Sequence, residues 1–290
     1  MGLVGNPRIS ERLRTVSGLI ERHGSVAEYL ELERDVLKAQ LEIEEDLKKG
    51  ALTSRPELAT PEETMVEALK TKTPLNRLID PSMFDSNSLH HPLMSILTVL
   101  SERSIGGDDS KKLLRAMRGN HLELARLIEA ILVEDETTIS EKAAALYVQP
   151  STLFYAVSSA LRPYFEEIAR RIDSSLLDRW WEARCPVCGR IPQTARVSQR
   201  KRHLVCGFCG AEHLSDDFLC VHCGNRDPSS LKYLRDEKQP QFRIDYCTKC
   251  EGYLKVLGED SVTNSVPKGF EDILTLGLDL VAAKKGLKRH

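Results

Sequence analysis

Eight cysteines carry the chemistry available to this sequence. They form four CxxC pairs, Cys185/Cys188, Cys206/Cys209, Cys220/Cys223 and Cys247/Cys250, and no cysteine precedes them. Disulfide frameworks belong to oxidising compartments. A thioredoxin-like dithiol is normally a single CxxC beside a βαβ pattern, which is absent here. Four thiolates around one tetrahedral ion require two pairs, and four pairs supply two such sites. A gap of two residues lets a tight turn aim both sulfurs at one ion. Gly189, Gly210 and Gly224 directly follow the second cysteine of their pairs, where a positive φ closes the turn. In Cys247-Thr-Lys-Cys-Glu-Gly252 the glycine comes one place later.

Sequential use of the pairs places 17 residues between Cys188 and Cys206, and 23 between Cys223 and Cys247. Each gap holds one β-hairpin, so each unit takes a rubredoxin-like or zinc-ribbon-like form. Interleaved pairing is the alternative. The sequential form is favoured because each half then closes on its own with little loop entropy. His203, His213 and His222 lie among the cysteines. Eight sulfurs already fill two tetrahedra, so these rings are expected at the surface or behind the ligands.

Closed four-cysteine sites leave no open position for a metal-bound water. HExxH, GxSxG, GxxxxGK[ST] and strand-borne GxGxxG patterns are missing. No catalytic residue is therefore assigned, and the chain reads as a non-enzyme. The carboxylates Glu42, Glu44, Glu45 and Asp46 read as a solvated helix face, and His90-His91 as no metal site.

The elements that must position the cysteines read as an α plus small β fold. An all-α helical domain (1–180) precedes a first rubredoxin-like four-cysteine module (181–214), a second (215–257) and a C-terminal helical segment (258–290). Ser25 opens a helix through Val26, Tyr29, Leu30, Val36, Leu37 and Leu41 that ends at Gly50. Thr60-Pro61-Glu62-Glu63 has the form of a capping box. Asp108 or Asp109 opens a helix stopped by Gly119. Another spans His121 to Glu134, with Leu124, Leu127, Ile128, Ile131 and Leu132 as its stripe. A third runs from Leu153 to Ile172, kinked at Pro163. Segments 51–59 and 72–92 read as loops. Trp180-Trp181 is expected to pack the helices against the metal modules. In the tail, Phe270, Ile273, Leu274, Leu278 and Val281 share a face, and Lys284, Lys285, Lys288 and Arg289 complement the helix dipole.

The 41 basic and 43 acidic residues give a net charge of −2. From Trp181 to His290 the balance is basic, 18 against 14. Each tetrathiolate around a divalent ion carries about two negative charges, which brings this region close to neutrality. The run Arg196, Arg200, Lys201, Arg202, His203 thus compensates an anionic centre as well as it binds phosphate, and a nucleic-acid partner is disfavoured. No run approaches the roughly 18 apolar residues of a membrane helix. The start lacks a basic stretch followed by an apolar one. A cytoplasmic location without membrane insertion is expected.

The order CPVCG, CGFCG, CVHCG and CTKCEGYLK after a long helical region resembles the formate dehydrogenase accessory protein FdhE family. The most specific pieces are Cys185-Pro-Val-Cys-Gly189 and Cys247-Thr-Lys-Cys-Glu-Gly-Tyr-Leu-Lys255, and the match covers residues 180–256. The resemblance implies a cytoplasmic assembly factor for respiratory formate dehydrogenase. Its partner would be the catalytic subunit, held before twin-arginine export. Arg170-Arg171 of this chain lies inside an expected helix and is no such signal. The resemblance also implies two bound metal ions, with iron favoured; spacing alone accepts zinc equally. A zinc-ribbon nucleic-acid-binding protein and a thiol oxidoreductase are the competing readings.

Overall fold

Helix positions in the first half follow the spacing of buried leucine and isoleucine. In the computed structural model, residues 7–49, 61–80, 84, 86–119, 121–235, 237, 239–258 and 266–289 are described. The helices are α1 (Ile9–Arg22), α2 (Ala27–Lys48), α3 (Pro61–Thr71), α4 (Ser86–Glu102), α5 (Asp108–Arg118), α6 (Leu124–Val133), α7 (Glu136–Ala145), α8 (Pro150–Arg171) and the single turn α9 (Ser174–Leu177). Ile9, Val16 and Leu19 of α1 pack with Leu30 and Leu37 of α2, and Phe270 closes this cluster. Tyr29, expected on the same face, is exposed. Ser25 lies in a 3-10 turn, and α2 begins two residues later. Gly50, the 51–59 segment and Thr60 fall outside the described residues. All five expected stripe residues of α6 are buried, and Gly119 ends α5 as anticipated.

One proline-bearing segment differs from expectation, and a second finds an unexpected partner. The 72–92 segment is not loop throughout, because α4 starts at Ser86 and runs through Pro92. An interior proline costs a helix about 3 kcal/mol. Leu89, Leu93, Ile96, Leu97 and Leu100 all bury on one face, and their burial outweighs that cost. Pro163 lies inside α8, which is helical from Pro150 to Arg171. Proline has no N–H for the carbonyl of Ser159, one turn earlier. The fully buried Gln40 of α2 supplies the missing donor, with its Nε2 2.7 Å from Ser159 O. Gln40→Leu is expected to leave that carbonyl unsatisfied and cost on the order of 1–3 kcal/mol. The check is a lower denaturant midpoint at unchanged m-value.

The acidic face of α2 is also not wholly solvated. Glu44 is buried, accepting the Ile9 N–H at 2.9 Å and a Lys48 bond at 3.1 Å. Burial alone would raise its pKa, but these partners hold it below the usual value.

The second half is one six-stranded sheet in the order β3-β2-β1-β6-β5-β4. Its strands are β1 (Thr194–Ser198), β2 (Lys201–Val205), β3 (Glu212–Ser215), β4 (Leu231–Arg235), β5 (Phe242–Cys247) and β6 (Tyr253–Leu257). β1–β2 and β4–β5 are antiparallel hairpins that fill the 188–206 and 223–247 gaps. β3 and β6 then add antiparallel to the second strand of each hairpin. Each unit therefore repeats one order: knuckle, hairpin, knuckle, third strand. β1 and β6 pair in parallel, with Ala195 opposite Val256, and so join the two units.

The tail forms α10 (Glu271–Leu274) and α11 (Leu276–Lys284). Ile273 and Leu274 pack on the α1–α2 cluster and Leu278 on the β5–β6 face, whereas Val281 is exposed. Lys288 and Arg289 lie beyond the helix end and pair with Glu251 and Asp272, so they fasten the tail more than they cap it. The buried Lys255 of β6 meets Asp272 Oδ1 at 2.6 Å and Asp279 Oδ2 at 2.8 Å, which clamps α10 and α11 to the sheet.

Candidate metal centres

The fold brings the cysteines together in sequential groups. Cys185, Cys188, Cys206 and Cys209 form one cluster and Cys220, Cys223, Cys247 and Cys250 the other, with all sulfurs of a cluster within 4.8 Å of one another. The diagonal Sγ–Sγ distances are 3.4 Å for Cys185–Cys209 and Cys188–Cys206. They are 3.6 Å for Cys220–Cys250 and 3.9 Å for Cys223–Cys247. A tetrahedron with metal–sulfur bonds of about 2.3 Å has edges of about 3.8 Å, so both donor sets fit a thiolate-bound ion. Among the described residues these are the only groups with such convergence, and His90 and His91 belong to neither.

Each knuckle is shaped by two backbone bonds. Cys185 N–H donates to Arg190 O at 2.9 Å and Gly189 N–H to Cys185 O at 3.0 Å, and the other three knuckles repeat the pattern. Gly189, Gly210 and Gly224 take φ of 73°, 70° and 72°. In the fourth knuckle Glu251, not the displaced glycine, takes the left-handed position at 61°. Gly252 answers a different need: a Cβ there would sit 2.5 Å from the His222 ring. His222 Nε2 is in turn 2.8 Å from Tyr253 O, which fixes the ring against the knuckle.

The two centres differ in surroundings. All four cysteines of the first are buried, and they belong to the same apolar core as α4, α6 and α8. Leu75 and Asn76 N–H groups donate to Pro186 O and Val187 O at 2.8 and 3.0 Å. The Asn76 side chain reaches on to Leu132 O. Arg190 stacks between Phe154 of α8 and Phe208, 4.8 and 3.5 Å from the ring centroids. Trp180 is buried there and donates from Nε1 to Arg184 O, as expected of a packing residue, whereas Trp181 is half exposed. In the second centre Cys223 is exposed and Cys250 partly so.

The surroundings act unequally on the thiols. Burial pushes Cys188 and Cys209 well above the usual thiol range, while bonds from Cys185, Cys188 and Cys209 hold Cys206 well below it. At the second centre burial raises Cys247, but N–H bonds from Cys250 and Lys249 bring it down to about 7. A bound cation would reverse the penalty on buried thiolates.

The histidines lie outside both clusters. His203 and His213 are buried rather than superficial, and burial lowers His213 to about 4, so it stays neutral behind the first centre. Two arginines of the basic run also turn inward, whereas Arg200 and Lys201 are exposed. Arg196 is buried on Glu271 Oε1 at 2.6 Å and on Val266 O. Arg202 is buried on Ser215, Asp216 and Leu219. Sequence reading missed the buried charges Arg12, Glu166 and Lys255, although Lys255 sits in the CTKCEGYLK stretch.

A helical body whose core takes in one four-cysteine cluster, continued by a sheet that carries a second, defines the class: a helical protein with paired rubredoxin- or zinc-ribbon-like knuckles. No family model matches the chain. Protein FdhE homolog of Aquifex aeolicus is 29% identical over 144 residues, 48% of this chain and 50% of that protein. The Haemophilus influenzae homolog is 27% identical over 178 residues, 58% of each. The matched part thus spans about half the length of these curated relatives. The crystal structure of the FdhE protein from Pseudomonas aeruginosa superposes with a TM-score of 0.63 at 18% identity, covering 99% of this chain and 96% of that one, and so shares the fold. The chain is thus similar in sequence to FdhE homologs over about half its length, and in fold to an FdhE protein over almost all of it. Among the described residues no helix is long and apolar enough to cross a membrane.

Proposed function

We propose that the chain is a non-enzymatic accessory factor for formate dehydrogenase maturation, which holds the catalytic subunit in the cytoplasm before export. The observation that carries this reading is the likeness to FdhE homologs in sequence, joined to a fold match over almost the whole chain. The eight cysteines would bind two metal ions, iron by family resemblance, in a mainly structural role. Their closed all-sulfur coordination and the burial of the first centre support that role. The nucleic-acid reading is weakened because Arg196 and Arg202 are spent on internal partners.

The experiment is a pull-down of the formate dehydrogenase catalytic subunit by the purified chain at moderate and high salt. Retention at both is expected. Loss of the client together with salt-sensitive capture of DNA or RNA would replace the proposal with the nucleic-acid reading, since phosphate contacts weaken steeply with salt.

A further inference from the structure

The two edges of the sheet end differently. β3 lies against α9. β4 is the other edge, and among the described residues its main chain is bonded to β5 alone. The Thr248 N–H donates to Ser230 O at 2.9 Å, which sets the alternation along this pair. Lys232 and Leu234 then turn their N–H and C=O groups to Tyr246 and Ile244, whereas Leu231, Tyr233 and Arg235 turn theirs outward. A row of such groups is a template for one more strand.

The side chains beside that row are uncommitted. Lys232, Tyr233 and Arg235 are exposed. Among the described residues neither Lys232 nor Arg235 has an ionic partner, and Arg235 Nε donates only to Pro240 O at 2.7 Å. On the face that Tyr233 shares with Leu231, a cavity of about 220 Å3 opens between β4, β5 and the 217–222 segment, beside the second cysteine cluster. Phe218, 54% exposed, and Tyr233, 66% exposed, both line it, with Leu219, Val221 and Leu254 as apolar wall. Asp245 on that wall is already held by Arg243 at 2.8 Å and Arg202 at 3.5 Å.

The geometry points to an edge-strand docking site. β4 receives an extended segment of a partner polypeptide, with acidic side chains opposite Lys232 and Arg235 and one aromatic side chain entering the cavity. Strand addition draws affinity from main-chain bonds and specificity from pockets for alternate side chains, and this edge offers both. A second copy of this chain is the poorer occupant. Antiparallel pairing of two β4 strands sets Lys232 and Arg235 of both copies along one short seam, where like charges destabilise. Single-stranded nucleic acid would use the aromatic rings and the cations, but not the outward N–H and C=O row. This inference goes beyond the maturation reading and stands independently of it.

The test is fluorescence polarisation of the labelled peptide Glu-Val-Phe-Glu-Val, blocked at both ends, titrated with the full metal-loaded chain. Saturable binding is expected. Methylation of the first, third and fifth peptide nitrogens is expected to abolish it, because the donors that face β4 are lost. Lys232→Glu combined with Arg235→Glu is expected to weaken binding about tenfold at unchanged Tm, and to accept the peptide Lys-Val-Phe-Lys-Val instead. Tyr233→Pro removes one outward N–H, leaves the pairing with β5 in place and is expected to abolish binding. No saturable binding, equal binding of the methylated peptide, or indifference to the charge swap overturns the proposal. A dimer that is lost in Tyr233→Pro, or an oligothymidylate bound in place of the peptide, gives the edge to another occupant and overturns it as well.

Discussion

Cys185→Ser is expected to release the metal of the first centre and to abolish cooperative melting of the helical body, whereas Cys247→Ser releases one metal and leaves that melting in place. The asymmetry follows from where the sulfurs lie. Cys185, Cys188, Cys206 and Cys209 share a continuous core with Leu97, Ile128, Leu161 and Phe165. Phe208, between two of these cysteines, has its ring centroid 5.4 Å from that of Phe165. Structural metal in comparable small sites contributes about 10–16 kcal/mol, and a whole domain is stable by only about 5–15 kcal/mol. Loss of the first ion therefore exceeds what the helices can absorb. The second cluster has one exposed and one partly exposed cysteine, and its Val221 packs with Ala195, Leu204, Leu254 and Val256 of the sheet, outside the helical core. The measurement is metal per chain together with far-UV melting of both variants. A Cys185→Ser chain that melts like the wild type after losing its ion would end the structural assignment of the first centre. A Cys247→Ser chain that is folded but no longer retains the client would give the second centre a part in function.

What was legible in the sequence was local. A CxxC turn places two sulfurs within a few residues, and the gap lengths admit one hairpin each. The clusters, their sequential grouping and the strands between them follow from that. Features that depend on distant residues were not legible. Pro163 removes a backbone donor, and nothing nearby announces that Gln40 supplies another to Ser159 O. Pro92 reads as loop because the burial of Leu93 and Leu97 is set by other helices. Gly252 was assigned to the turn of its knuckle, but its small size serves the His222 ring from the preceding knuckle. The parallel pairing of β1 with β6 joins segments far apart in the chain, with no local pattern to set their register, and makes one sheet of two similar units. Whether Arg196 and Arg202 compensate an anionic centre or meet phosphate stayed open because charge alone carries no direction. Their strand positions turn them onto Glu271 and onto the carbonyls around Asp216.

Glu166→Gln is expected to be the most damaging single change outside the cysteines, by about 3–5 kcal/mol, since it strands buried cations. Glu166 is fully buried and accepts two bonds from Arg12 and one from Arg162 Nε at 2.9 Å. Arg162 also reaches Glu33 at 3.1 Å. Burial pulls the Arg12 guanidinium below its usual range against the attraction of Glu166 and Glu33. Burial acts on Arg162 in the same sense, but the two carboxylates overcome it and hold that group above its usual range. Both arginines stay charged at neutral pH, so removing the central anion leaves like charges facing each other in a low dielectric. Glutamine keeps the shape and one carbonyl acceptor, and the loss is then electrostatic rather than a cavity. Equilibrium denaturation at pH 7 measures it. Because the penalty comes from the unpaired partner, Arg12→Met added to Glu166→Gln should recover part of the stability rather than add to the loss. A Glu166→Gln cost below about 1 kcal/mol, with no recovery in the double variant, would mean that water reaches these charges.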